Sequence, residues 1–228
     1  MRLALLGGTG RIGGHLLAWA LESGHEVTAL ARDPQALAAA GTAAGSGGRG
    51  RLSAAAGSGA RGRLNVVAGS ATDWESVRAA VTGATAVLSA LGPRGAKTPG
   101  LLGAAGRNIV KAMDTAGARR LICVSAAGAF ISDDPDTGAL VKAILPRILA
   151  TQFEDVRAME AVVAVSGLDW TMVRATRLVN RPLTGRYRVR PQYPPAGGRK
   201  ISRADVAHFM GAALAEDSWL QGTPALAY

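Results

Sequence analysis

Glycines stand at positions 7, 10 and 13, with Thr9, Arg11 and Ile12 between them. Three glycines at this spacing suit one task, the cradling of a diphosphate. One permits a tight turn, one lets backbone come close to a phosphate, and one lets the next helix pack on the preceding strand. The turn aims unpaired N–H groups and the positive end of a helix dipole at one point. Arg32 follows nineteen positions after Gly13. A carboxylate there would bind a ribose 2′-hydroxyl; a guanidinium attracts a 2′-phosphate, and Ala31 leaves no negative charge to repel it. Arg11 is within reach of the same phosphate. These residues favour NADP(H) over NAD(H). The plainer reading is a glycine-rich turn and a solvated arginine ahead of the Asp33-Pro34 turn.

Those residues need strands and helices to hold them. Residues 2–6 are a short apolar strand directly before the glycines, and residues 14–22 an amphipathic helix directly after. Further strands are expected over 25–32, 64–68, 84–91, 120–125 and 168–174, with a closing strand over 223–228. Helices are expected over 35–40, 74–81, 101–116, 152–166 and 201–215. Residues 130–149 read as irregular, and 182–195, alternating basic and apolar, as an exposed strand. Residues 41–63 are mostly Gly, Ala, Ser and Arg, too poor in apolar surface to offset their ordering entropy, and read as a flexible low-complexity insertion. Strands alternating with helices predict an α/β fold: one Rossmann-type domain over 1–228 with a doubly wound parallel sheet. A small C-terminal substrate-side region is expected at 176–200. Ser125 ends the fifth strand, and the 92–100 loop lies beyond the fourth, where open sheets bind ligands.

Composition sets limits. In 228 residues, 48% are hydrophobic and 18% charged, which supports a sizeable core. The net charge is +10, with Arg49, Arg51, Arg61 and Arg63 in one cluster and Arg181, Arg186, Arg188 and Arg190 in another. Aromatics are 4%, too few for base stacking, and neither cluster sits in a nucleic-acid motif, so no nucleic-acid partner is expected. No apolar run is long enough to span a bilayer, and none resembles a signal-peptide core. The single cysteine, Cys123, fits a cytoplasmic location. His15, His25 and His208 lack metal-ligand spacing, so no metal is expected.

Several stretches together resemble a known family. They are Gly7 to Gly13, Val27 to Pro34, Arg107 to Met113, Ser166 to Thr171, Arg181 to Tyr187, and Ile201 to Met210. The chain resembles the atypical short-chain dehydrogenase/reductases of the NmrA-like, NAD(P)H-binding group, and within it the biliverdin reductase B / flavin reductase branch. The resemblance implies that Thr9, Arg11 and Ile12 join the glycines around the pyrophosphate and that Arg32 takes the 2′-phosphate. It places Ser70 and Ala71 at the adenine, and Leu91 and Gly92 along the ribose and nicotinamide. Ser125 falls in the position of the active-site serine, and Arg174, Ala175 and Thr176 close over the cofactor.

The chain also departs from that pattern. Many short-chain dehydrogenases carry a Tyr-x-x-x-Lys pair, whose lysine lowers the tyrosine pKa for proton transfer. The corresponding helix here reads Thr151-Gln152-Phe153-Glu154-Asp155-Val156-Arg157. Thr176 stands where the branch has histidine. An enzyme that only passes hydride to a flavin or tetrapyrrole tolerates this, since solvent can supply the proton. The expected function is therefore an NADPH-dependent reductase of a planar acceptor: flavin, tetrapyrrole, quinone or polycyclic ketone. Phe130, Arg174 and Arg177 are its substrate-side candidates, with Arg186 and Arg188 near by, so the acceptor can be anionic. Two alternatives stay open: an NAD(P)-binding redox sensor or regulator without turnover, and a tailoring enzyme of specialised metabolism. Either a monomer or a homodimer is compatible with the sequence.

Overall fold

The computed structural model describes residues 1–37, 62–92 and 99–228. Residues 34–37 are helical. The rest of the helix expected over 35–40, residues 41–61 of the insertion and residues 93–98 of the expected loop lie outside the described residues.

The chain begins with β1 (Arg2–Leu6), α1 (Arg11–Glu22), β2 (Glu26–Ala31) and β3 (Arg63–Ala68). It continues through α2 (Trp74–Val81), β4 (Ala86–Ser89), α3 (Leu101–Ala116) and β5 (Arg120–Ala126). A 3-10 segment (Ala127–Asp133), α4 (Ala139–Ile148), α5 (Ala150–Ala164) and β6 (Asp169–Ala175) follow. The last part contains β7 (Arg177–Val179), β8 (Arg188–Pro191), β9 (Lys200–Ser202), α6 (Arg203–Ala213) and β10 (Pro224–Ala227).

Among the described residues eight strands form one sheet in the order β3-β2-β1-β4-β5-β6-β10-β8. All are parallel except β8, which pairs antiparallel with β10. Chain progression reverses between β1 and β4, the crevice where a doubly wound sheet receives ligands. The fold is the Rossmann-like α/β architecture expected.

Both faces of the sheet are covered at its centre, which is why β1 and β4 are buried along nearly their whole length, whereas no residue of the edge strands β3 and β8 is fully buried. Leu3 and Leu5 face a core built with α1 and α6, through Leu16, Leu17, Val206 and Met210. Ala4 and Leu6 face the other core, with Val77 of α2, Ile109 and Met113 of α3, and Met159 of α5. Helix ends are tied down locally. Asp73 caps α2, accepting from Ser76 N at 2.8 Å, and Ser202 caps α6, accepting from Asp205 N at 2.9 Å. The first residue of α3 follows Gly100, which has no capping side chain; Asp155 of α5 accepts from Leu102 N and Gly103 N, both at 2.9 Å.

Some expectations change. Residues 130–149 are not irregular, since most belong to the 3-10 segment and α4. The breaker Pro146 falls in the last turn of α4, where the helix is ending in any case. The exposed strand over 182–195 contracts to β8. The ribbon β7–β9 was not foreseen, because two three-residue strands distant in sequence carry no periodic signal. Arg63 already pairs with Glu26, so β3 starts at what was expected to be the last residue of the insertion. Among the described residues no helix is long and apolar enough to cross a membrane.

Candidate nucleotide-binding site

β1 delivers the chain to the crevice, where the glycine turn reverses it into α1. Gly7 adopts φ +85°, a conformation that L side chains rarely take, and it lies against the carbonyl of Ala90. Gly13 is required for packing: a Cβ there would lie 2.1 Å from the Gly7 carbonyl oxygen. The turn is closed by Gly10 N donating to Gly7 O at 2.8 Å. Gly10 is also the N-cap of α1, and no side chain caps that end. The helix therefore presents its amino end to whatever fills the crevice.

The crevice has a volume of about 700 Å³. Of the expected residues, Gly7, Thr9, Gly10, Arg11, Ile12, Arg32, Ser70, Ala71, Leu91, Gly92 and Ser125 line it. They come from the carboxyl ends of five adjacent strands, with the glycine turn beyond β1 at the centre. Arg32 stands at the β2 end, Ser70 and Ala71 beyond β3, Leu91 and Gly92 beyond β4, and Ser125 at the β5 end. Ala71 is fixed by Asn108, whose Nδ2 donates to its carbonyl at 3.1 Å.

Other expected residues lie elsewhere. Gly13 is buried beneath the turn, serving packing rather than contact. Ala175 is buried, and Thr176 Oγ1 donates to Leu226 O of β10 at 2.9 Å; neither lines the crevice. Phe130 and Arg174 are also absent from the lining: Arg174 is buried, forked onto Glu160 and stacked over Phe130. Arg177 is exposed on β7. Arg188 donates to the carbonyls of Ala196 and Tyr228, and Arg190 pairs with Asp136. Arg188 thus ties β8 to the C-terminal segments, and Arg190 ties it to the turn ahead of α4. Alternation could show that they share a strand face, but not which partners that face meets.

Apolar neighbours such as Leu101, Leu102, Val124 and Val156 also line the crevice, and two further lining residues come from elements the sequence did not connect with it. Leu178 comes from the unforeseen β7, and Arg203 is the first residue of α6. Arg203 Nη1 donates to Asn180 Oδ1 at 2.7 Å. Burial, and secondarily the charge of Arg11, lower the Arg203 pKa. The one signal for it was its place in the Ile201–Met210 stretch, beside the helix-capping Ser202.

Arg11, Arg32 and Arg203 thus line one crevice, and no carboxylate, histidine, lysine or tyrosine lines it among the described residues. α1 and α6 both begin with arginine, the unfavourable charge for a positive helix end unless an anion lies between. The uncapped turn, the close backbone approach and the arginines fit the diphosphate of a nicotinamide dinucleotide. Cys123, one strand position from the crevice-lining Val124, is chemically quiet. Burial first, and the Glu160 charge second, push its thiol up to about 12.

A sequence model described as NAD(P)H-binding matches residues 49–217. The chain belongs to the NAD(P)H-binding family. The matched span begins after the glycine turn, so the turn and the match are separate indications of a nicotinamide nucleotide. Similar solved structures include a short-chain dehydrogenase/reductase from Veillonella parvula in complex with NADP. It is 22% identical, with 100% of this chain and 94% of that one covered and a TM-score of 0.72. ChuY, an anaerobilin reductase from Escherichia coli O157:H7, is 22% identical over 100% of this chain and 97% of its own, with a TM-score of 0.74. The oxidoreductase ylbE from Lactococcus lactis is 16% identical over 100% and 90%, with a TM-score of 0.75. At these identities the likeness is one of fold.

Proposed function

We propose that this member of the NAD(P)H-binding family is an NADPH-dependent reductase of a planar acceptor such as a flavin, tetrapyrrole, quinone or polycyclic ketone. The observation that carries the reading is the charge of the crevice: among the described residues, three guanidiniums and no carboxylate surround an uncapped glycine turn. Arg32, at the β2 end, is placed for a 2′-phosphate. The diphosphate is assigned to the turn between Gly7 and Gly13, with Arg11 and Arg203 beside it. Ser70 and Ala71 flank the adenine, and Leu91, Gly92 and Ser125 border the ribose and nicotinamide.

Hydride donation is the chemistry a reduced nicotinamide supplies when bound. What the chain contributes is orientation and exclusion of water. Leu91, Leu101, Leu102, Val124 and Val156 give the β4–β5 end of the crevice apolar walls. Holding donor and acceptor in register contributes up to about 7–11 kcal/mol in favourable cases. The helix that would carry a Tyr-x-x-x-Lys pair spends Asp155 on capping α3 and sends Val156 into the crevice. With no titratable donor but arginine lining the crevice among the described residues, the acceptor's proton is assigned to solvent. That suits flavins, quinones and tetrapyrroles better than simple ketones.

The ChuY similarity supports a tetrapyrrole among the acceptors to be tried. The lack of a proton donor among the described lining residues favours a second reading, a nucleotide-binding sensor without turnover. Calorimetry with NADPH and NADH tests the site, with tighter binding of NADPH expected. NADPH oxidation with FMN, biliverdin and a quinone tests the reaction. Tight binding without oxidation of any acceptor would leave the sensor reading. No heat with either nucleotide at millimolar concentration would end both.

A further inference from the structure

Two buried charged side chains have no part in the reading above. Glu160 of α5 is 5% exposed and Arg174 of β6 is 9% exposed. Arg174 Nε donates to Glu160 Oε1 at 3.1 Å, and Nη2 donates to Oε2 at 2.7 Å. Arg174 Nη1 donates to the Gln192 carbonyl at 3.0 Å, and its Cζ lies 3.6 Å above the centre of the Phe130 ring. The guanidinium is held on all sides, so the carboxylate it grips has a fixed position. Ser125, directly across the strand pair from Arg174, donates its hydroxyl hydrogen to the same Oε1.

A serine hydroxyl has one hydrogen and two lone pairs, whereas a carboxylate can only accept. With that hydrogen given to Glu160, Ser125 has only lone pairs left to offer the crevice. Its place in the crevice matters too. Arg32 stands at the β2 end and Ser125 at the β5 end, with the glycine turn on β1 between them. A dinucleotide with its 2′-phosphate on Arg32 and its diphosphate across the turn carries its second base to Ser125.

We infer that Glu160 and Arg174 are positioning residues that make Ser125 an obligate hydrogen-bond acceptor, and that the donor it selects is the N–H of the nicotinamide carboxamide. This rests on the nucleotide reading above. Ser125 then fixes which way the carboxamide points, and with it the orientation of the nicotinamide ring. It does not protonate the acceptor.

The test is calorimetry with NADP⁺ and its 3-acetylpyridine analogue, which keeps every phosphate and the adenosine but replaces the amide N–H₂ by a methyl group. The native chain is expected to bind the analogue about five- to tenfold more weakly, the loss of one hydrogen bond. Ser125→Ala binds the two alike. Glu160→Leu/Arg174→Met keeps Ser125 but frees its hydrogen to rotate toward the acetyl oxygen, so the preference falls to about onefold. Should that double variant fail to fold by circular dichroism, the comparison of the native chain with Ser125→Ala decides. Equal binding of both nucleotides by the native chain, or an undiminished preference in Ser125→Ala, overturns the inference and leaves the nucleotide site standing. Failure to bind either nucleotide overturns the site itself.

Discussion

Replacing Glu160 by leucine gives the sharpest test of how the centre of this fold is balanced. The change keeps most of the side-chain volume but removes both oxygens that Arg174 grips. Arg174 is then left 9% exposed with only the Gln192 carbonyl and the Phe130 ring as partners. Removing one member of a buried pair costs about 3–5 kcal/mol, because the remaining charge is both desolvated and uncompensated. Adding Arg174→Met removes that charge. That second change gives up one hydrogen bond, to the Gln192 carbonyl, about 1 kcal/mol, and one cation–π contact, about 1 kcal/mol, while the Ser125 bond to Glu160 is lost in both variants. The double variant is therefore expected to be more stable than the single one by at least about 1 kcal/mol. Urea unfolding followed by far-ultraviolet circular dichroism measures both, provided the two share one slope. A double variant no more stable than Glu160→Leu would refute the view that the stranded guanidinium is the source of the cost.

Three further outcomes are expected. Gly13→Ala should weaken NADPH binding at least tenfold by calorimetry, because its Cβ would sit 2.1 Å from the Gly7 carbonyl oxygen and force α1 off the turn; overpacking of this kind costs about 1–3 kcal/mol. Arg32→Glu should cost NADPH about 1.5–3 kcal/mol of binding and leave NADH nearly unchanged, and equal losses for both would contradict a 2′-phosphate role. Burial raises the Asp205 carboxyl, but hydrogen bonds from Tyr228, Ser202, Thr184 N and Gly185 N outweigh it and hold the group below its ordinary value. A depressed folded-state pKa contributes stability that is present above the unfolded value and lost as pH falls through the folded one. Asp205→Asn should thus cost about 1–3 kcal/mol at neutral pH, and its gap to the native chain should close below about pH 4 in acid-unfolding curves.

Much of this protein was legible in one dimension. Apolar runs flanked by glycines announced β1, β2, β4 and β5. The helix expected from residue 74 begins there and the one expected from residue 201 begins two residues later, because the Asp73 and Ser202 caps act on N–H groups only three positions away. The glycine turn and Arg32 could be read because their chemistry depends on local spacing and on one loop beyond a strand end. What spacing could not decide was the company a charged side chain keeps. Arg174 and Arg177 look alike in the sequence, yet one is buried against Glu160 and the other is exposed, and only the β5–β6 register and the packing of α5 set them apart. Arg203 enters the crevice because α6 begins beside α1, although 191 residues separate Arg203 from Ile12. Local propensity decides where elements begin and end, whereas charge partnerships form between elements and follow from which faces the tertiary fold brings together.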